Sequence, residues 1–168
     1  TTLIRWATYR EIYKISDQKK IFAFDTFGTF PINILASTDD KDFVKKFTHD
    51  GGDGLDVDEV NNIMHNKNFK NFDLIKGDVT KTIPNFLKIN PDVKISLLHL
   101  DVDIYEPTIS SLKFLWDKLS IGGLLIIDDY KSVNGATDAV DEFLLDRNIK
   151  DVIHQSDFNF SPFYIVKS

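Results

Sequence analysis

Cysteine is absent from all 168 residues. That excludes disulfides, zinc–thiolate sites, iron–sulfur clusters and cysteine nucleophiles, and it fits a reducing compartment, so a cytoplasmic location is the expectation. Basic residues are outnumbered, with 20 Lys and Arg against 26 Asp and Glu and a net charge of -6. This is the wrong sign for a protein that holds nucleic acid by neutralising phosphates. No apolar run approaches the ~20 residues that span a bilayer, and Thr1-Thr2-Leu3-Ile4-Arg5-Trp6 lacks the layout of a signal peptide. Neither nucleic acid nor a membrane is therefore expected as a partner. Internal repeats, low-complexity stretches and interdomain linkers are lacking too.

What is present is the make-up of one globular domain over residues 1–168, with 42% hydrophobic and 27% charged residues. At this length about 70% of the unfolded surface is buried on folding, so the core needs no crosslink. Leu3, Trp6, Ala7, Arg10, Ile12 and Tyr13 repeat as the apolar face of a helix over 3–15. Residues 20–25 read as a short strand, broken by Gly28 and Pro31. Helices are predicted over 39–47 and 57–64, and the Gly-rich stretch 51–58 between them is expected to move as a lid over the site. Residues 72–77 are strand-like, a short helix crosses Ile83, Phe86 and Leu87, and 95–101 is the next strand. Glu106-Pro107 opens a helix, because proline at the first helical position loses no hydrogen bond. Gly122-Gly123 precedes a strand over 124–129, whose apolar run suits a parallel strand covered on both faces. A helix over 134–147 and a terminal strand pair, 152–154 with 163–166, complete the chain. This alternation predicts an α/β fold, doubly wound, with a mostly parallel sheet.

In open α/β sheets ligands sit beyond the carboxyl ends of the strands. The residues there are Asp25, Gly77-Asp78, Asp101 and Asp128-Asp129. Aspartate is common in this chain, 22 against 4 glutamates, and it forms turns and caps well, so any one of these alone has a structural explanation. The set is different, because Asp101, Asp128 and Asp129 fall on neighbouring strands and converge. Three carboxylates without a nearby Lys or Arg repel one another, and a hard divalent cation, Mg2+, relieves this. Such an ion keeps positions open for substrate hydroxyls and lowers their pKa. Asp25 is placed to accept from both hydroxyls of a ribose. Asp78 is placed to take a donor such as an adenine amino group, with a loop cap as its competing role. The G-x-G-x-x-G loop that would precede Asp25 by ~20 residues is missing. His99 and His154 are further titratable candidates, although a lone histidine in an apolar strand is more often structural.

Four segments make the pattern specific: Phe24-Asp25-Thr26-Phe27-Gly28-Thr29-Phe30-Pro31, Leu100-Asp101-Val102-Asp103-Ile104-Tyr105-Glu106-Pro107-Thr108, Gly122-Gly123 with Ile126-Ile127-Asp128-Asp129-Tyr130, and Gly135-Ala136-Thr137 with Ala139-Val140-Asp141-Glu142-Phe143. In this order, over residues 1–145, the chain resembles the macrocin O-methyltransferase (TylF-type) family. The resemblance implies a class I, Rossmann-like methyltransferase that uses S-adenosylmethionine and Mg2+ to methylate a hydroxyl of a sugar or other small molecule. By motif position Asp101, Asp128 and Asp129 are its metal ligands, acting in catalysis through the metal, and Asp25 is its ribose carboxylate. Asp103 and Tyr105 belong to the same motif without an assigned role. A small hydroxylated molecule is the expected partner, and a homodimer is allowed.

Two departures from the family accompany the match. A first strand and a Gly-rich loop precede the first helix in the family and are missing here, so the chain is expected to be an N-terminally truncated fragment. The missing strand would lie mid-sheet, between the strands ending at Asp25 and Asp101. Its loss should make those strands slide together, borrow a strand from another copy, or leave the chain unstable. The second departure concerns the general base, which has no assignment: Lys131 stands where relatives carry an acidic residue shortly after the Asp pair. Two alternatives stay open, a haloacid dehalogenase-like phosphatase with Asp101 as nucleophile and Asp103 as acid, and a catalytically inactive methyltransferase-like domain.

Overall fold

Strands and helices alternate in the computed structural model, which describes residues 2–29, 37–49, 54–157 and 162–168. The order is α1 (Thr2–Ile12), β1 (Ile21–Asp25), α2 (Thr38–His49), α3 (Val57–Asn66), β2 (Phe72–Lys76), α4 (Val79–Ile89), β3 (Ile95–Leu100), α5 (Tyr105–Leu115), β4 (Leu119–Ile127), α6 (Asn134–Asp146), β5 (His154–Gln155) and β6 (Phe163–Val166). No described helix is long and apolar enough to cross a membrane.

Local chemistry sets several of these boundaries. The Asp56 side chain accepts from the backbone N–H of Asp58 while Glu59 reaches back to Asp56 N–H, a reciprocal cap that starts α3. The second half of the expected moving stretch 51–58 is therefore anchored as a helix start, and 51–53 lie outside the described residues. β4 begins at Leu119 rather than at 124. Gly122, at φ 75°, and Gly123 fall inside the strand, and the β3–β4 register shifts between Ile95 and Leu97. The glycines thus accommodate an irregularity within a strand instead of preceding one.

β1 and β2 pair in parallel, with Asp25 level with Lys76. The remaining strands form a second sheet in the order β3-β4-β6-β5, with β3 and β4 parallel and β6 antiparallel to both β4 and β5. Among the described residues no ladder joins β1 to β3. Those two strands have not slid together, and the strand expected between them is not among the described residues.

Leu98, Leu100, Leu125, Ile127 and Ile165 from the larger sheet meet Ile83, Leu112, Val140 and Phe143 from α4, α5 and α6 in the main core. Phe24 of β1 packs on the same core, which makes both sheets parts of one body. Ala7, Met64 and Phe69 form a smaller cluster that seats α1 against α3. Helix α1 turns differently from the expectation: Ala7 and Arg10 are buried, whereas Ile12 and Tyr13 are exposed. Arg10 goes inside because its guanidinium donates to the carbonyls of Lys19, Lys70 and Asn71, just ahead of β1 and β2.

Candidate active site

The β3–β4 ladder sets Leu100 level with Ile127. It continues one step further, where Asp128 N–H donates to the Leu100 carbonyl at 3.0 Å. Asp101 and Asp128 therefore leave adjacent parallel strands side by side, and Asp129 follows. One carboxylate oxygen from each of Asp101, Asp128 and Asp129 lies within 4.8 Å of the others. Among the described residues no Lys or Arg pairs with them, and the one basic side chain close by is His99, whose Nε2 stands 3.8 Å from Asp128 Oδ1. A donor set made only of anionic oxygens suits a hard divalent cation such as Mg2+.

The loop after β3 turns back on this group. Asp103 adopts φ 64°, in the left-handed region, and its N–H donates to Asp129 Oδ2 at 3.1 Å. Burial, followed by the charges of Asp129, Asp101, Asp128 and Asp25, pushes the Asp103 carboxyl up to about 7. Burial likewise raises Asp129 to about 6, against the pull of the Asp103 and Val102 N–H groups. Asp103 and Asp129 thus hold protons more tightly than isolated aspartates do.

His99 sits behind the cluster on β3. Trp6 of α1 donates its indole N–H to His99 Nδ1 at 2.8 Å, and His99 Nε2 stands 3.8 Å from Asp128 Oδ1. Burial pushes the His99 pKa down, against the pull of Asp101 and Asp128.

Asp25 and Asp78 lie at the end of the other sheet. Asp25 Oδ1 accepts from Phe27 N–H at 2.7 Å, so the residue also closes a turn. Gly77 N–H donates to the Asp25 carbonyl at 2.8 Å and brings the Asp78 loop alongside. Asp78 caps α4: its Oδ1 accepts from Thr80 N–H at 3.0 Å and from the Thr80 hydroxyl at 2.7 Å, and its Oδ2 pairs with Lys81 at 3.1 Å. Burial alone would raise this carboxyl, but Thr80 and Lys81 hold it below its ordinary range.

Residues 7–164 match the family profile described as Macrocin-O-methyltransferase (TylF). The chain belongs to the TylF family. Over 89 residues, 51% of this chain, it is 36% identical to demethyldecarbamoylnovobiocin O-methyltransferase of Streptomyces niveus, of which 34% is covered. Over 94 residues, 54% of this chain, it is 33% identical to 8-demethyl-8-(2,3-dimethoxy-alpha-L-rhamnosyl)-tetracenomycin-C 4'-O-methyltransferase of Streptomyces olivaceus, of which 35% is covered. The chain spans about a third of the length of these curated relatives. Among solved structures, the O-methyltransferase NovP superposes with a TM-score of 0.81 at 23% identity, over 96% of this chain and 66% of NovP. The calicheamicin methyltransferase CalS11 gives a TM-score of 0.67, also at 23% identity, over 96% of this chain and 65% of CalS11. These likenesses show the class I methyltransferase fold.

The stretch matched to the TylF family holds Asp25, Asp78, Asp101, Asp103, Asp128 and Asp129, which leaves the phosphatase alternative without support. Lys131 does not reach the carboxylates to pair with them. Its ammonium lies 5.8 Å from the centre of the Tyr130 ring and 5.3 Å from that of Phe163, and its N–H donates to Thr137 Oγ1. His154 is also elsewhere, exposed on β5 and stacked on Tyr164. Three strand spacings separate β5 from β3 in the sheet order, roughly 14 Å.

Sequence reasoning missed Asp40. The residue is buried on α2, and its Oδ1 accepts from Tyr105 N–H at 3.5 Å. A Cβ on Gly135 would run into the same carboxylate oxygen. Helices α5 and α6 follow Ile104 and Val133, whose apolar side chains give no cap. Asp40 thus brings one buried carboxyl group to two uncapped helix starts, just downstream of the loops that carry the cluster. Gly135 was visible in a family motif; nothing in the sequence marked Asp40. A cavity of about 290 Å³ lined by Ser37, Asp39, Tyr105, Gly135 and Asp138 lies at these helix starts.

Proposed function

We propose that this chain carries the catalytic site of an O-methyltransferase that moves a methyl group from S-adenosylmethionine to a hydroxyl of a sugar or another small molecule, with Mg2+ at Asp101, Asp128 and Asp129. The observation that carries this reading is the convergence of their three oxygens within 4.8 Å. Family membership supports methyl transfer, and the rhamnosyl and TDP-rhamnose groups in two relatives' names favour a sugar hydroxyl as acceptor.

When bound, Mg2+ acidifies a coordinated hydroxyl, and S-adenosylmethionine supplies a methyl group activated by its sulfonium. The protein's own residues contribute binding and orientation. Asp25 accepts from the ribose hydroxyls through the oxygen that its turn does not use. Asp78 gives Oδ1 to two bonds from Thr80, and its buried Oδ2, ion-paired with Lys81 but without a hydrogen bond, is the acceptor left for an adenine amino group. The Gly77–Asp25 hydrogen bond keeps these two contacts side by side. Asp103 stands outside the three-oxygen group yet is tied to it by its backbone N–H on Asp129, and its raised pKa supports a role as the carboxylate that takes the acceptor's proton. The cavity at the starts of α2, α5 and α6 offers room for the acceptor. Alignment of oxygen, methyl carbon and sulfur can supply ~7–11 kcal/mol of the rate enhancement.

The test is methyl transfer by the full-length protein to a panel of sugar hydroxyls, read as release of S-adenosylhomocysteine, with and without a chelator. Release that stops on chelation and returns with Mg2+ is the expected result. Release unaffected by the chelator would overturn the metal role. No release despite cofactor binding would favour the catalytically inactive domain instead.

A further inference from the structure

Thr2 and Trp6 stand one turn apart on the same face of α1, and both reach the carboxyl end of β3. The Thr2 hydroxyl donates to Asp101 Oδ2 at 3.2 Å, and the Trp6 indole N–H donates to His99 Nδ1 at 2.8 Å. An indole nitrogen can only donate. The imidazole nitrogen it meets is therefore the one with the lone pair, and the ring's proton sits on Nε2. That Nε2 is buried and has no hydrogen-bond partner. It faces Asp128 Oδ1 at 3.8 Å, beyond hydrogen-bond length.

We infer that His99 is a positioning residue for the cation site: Trp6 fixes its tautomer and ring plane, and its Nε2–H is aimed at Asp128 to orient that carboxylate toward a bound cation. The inference rests on reading Asp101, Asp128 and Asp129 as that site. It gives the unpaired Nε2–H an acceptor one short movement away, and it explains why a tryptophan from a separate helix is spent on a strand histidine. It also removes His99 from the candidates for general base, because Nδ1 is filled by Trp6 and Nε2 already carries a proton. Helix α1 then serves the cluster twice, through Thr2 on Asp101 and through Trp6 and His99 on Asp128.

The experiment uses Mn2+ as the probe, with free ion counted by electron paramagnetic resonance, on the full-length protein and on three variants. His99→Gln places an amide N–H near the Nε2 position, whereas His99→Asn places its amide near Nδ1 and leaves nothing aimed at Asp128. The expected result is about tenfold or greater loss of Mn2+ affinity in His99→Asn, with His99→Gln retaining most of it. Melting temperatures of both variants control for packing, since a purely structural histidine would not separate Gln from Asn in metal affinity at equal stability. Imidazole 15N shifts of the metal-free protein should show the Nε2–H form, and Trp6→Phe should turn it into a mixture of tautomers. Equal affinity in His99→Asn and wild type, or an Nδ1–H form in wild type, would overturn the inference alone. If wild type takes up no Mn2+, the cation-site reading falls and this inference falls with it.

Discussion

The backbone N–H of Asp103 donates to Asp129 Oδ2 at 3.1 Å and so ties the loop after β3 to the loop after β4. The bond crosses between the two segments that bear the carboxylates, and it draws Asp103 into their mutual repulsion. Its effect should show in the response of the protein to pH.

With no metal bound, Asp103 titrates at about 7 and Asp129 at about 6, both above the ordinary 3.8. Between those limits the folded chain binds more protons than the unfolded one, so this contribution to stability is full below about pH 4 and is lost as pH rises through 6 and 7. The melting temperature of metal-free protein should therefore fall from about pH 5 to about pH 8, and Asp103→Asn should flatten that slope. Added Mg2+ should raise the melting temperature more at the alkaline end. A profile that is flat in the metal-free protein would contradict the electrostatic account.

Removing a ligand should cost more than removing its neighbour. Calorimetric titration with Mg2+ should show Asp128→Asn weakening binding by at least about tenfold, and Asp103→Asn weakening it much less. Equal losses would place Asp103 among the ligands.

Asp25 can be separated from its turn. Asp25→Asn keeps an oxygen for the Phe27 N–H but gives up the charge offered to a ribose, and each charge-assisted hydrogen bond is worth ~1.5–3 kcal/mol. The dissociation constant of S-adenosylhomocysteine, measured on the full-length protein, should rise about tenfold or more in Asp25→Asn and at least as much in Asp25→Ala. An unchanged constant in Asp25→Asn would leave Asp25 as a turn residue only.

Gly135→Ala should destabilise the protein by about 1–3 kcal/mol through overpacking against Asp40. Combining it with Asp40→Ala, which clears the colliding oxygen, should recover part of that loss in a double-mutant cycle of denaturant melts. Strict additivity would mean that the two positions do not communicate.

Much of this was legible from short-range patterns. The strand ending at Asp101 and the strand ending at Asp128 announce themselves by apolar runs closed by carboxylates, and once parallel pairing is granted their convergence follows. The partners that arrive from far along the chain were not legible. Trp6 meets His99 across 93 positions and Tyr105 meets Asp40 across 65. No periodicity encodes such pairs, because helix and strand repeats report only which face is apolar, not what the face meets. The same limit misplaced Ile12 and Tyr13, whose spacing matches Trp6 and Ala7 but which lie beyond the part of α1 that packs. Gly122 and Gly123 misled differently, since glycine marks a break in most contexts and here allows an irregular strand.

Among the described residues β1 and β3 each pair on one side only, which leaves each with a row of amides and carbonyls outside any described ladder. Such rows take up any extended chain that presents a matching ladder, and natural edges discourage this with lysine, proline or twist. Neither strand carries lysine, arginine or proline: β1 is Ile-Phe-Ala-Phe-Asp and β3 is Ile-Ser-Leu-Leu-His-Leu. For these residues prepared alone, protein concentration rather than heat therefore sets the practical limit of handling. Dilute samples should remain dispersed, while crowded ones should associate through strand capture.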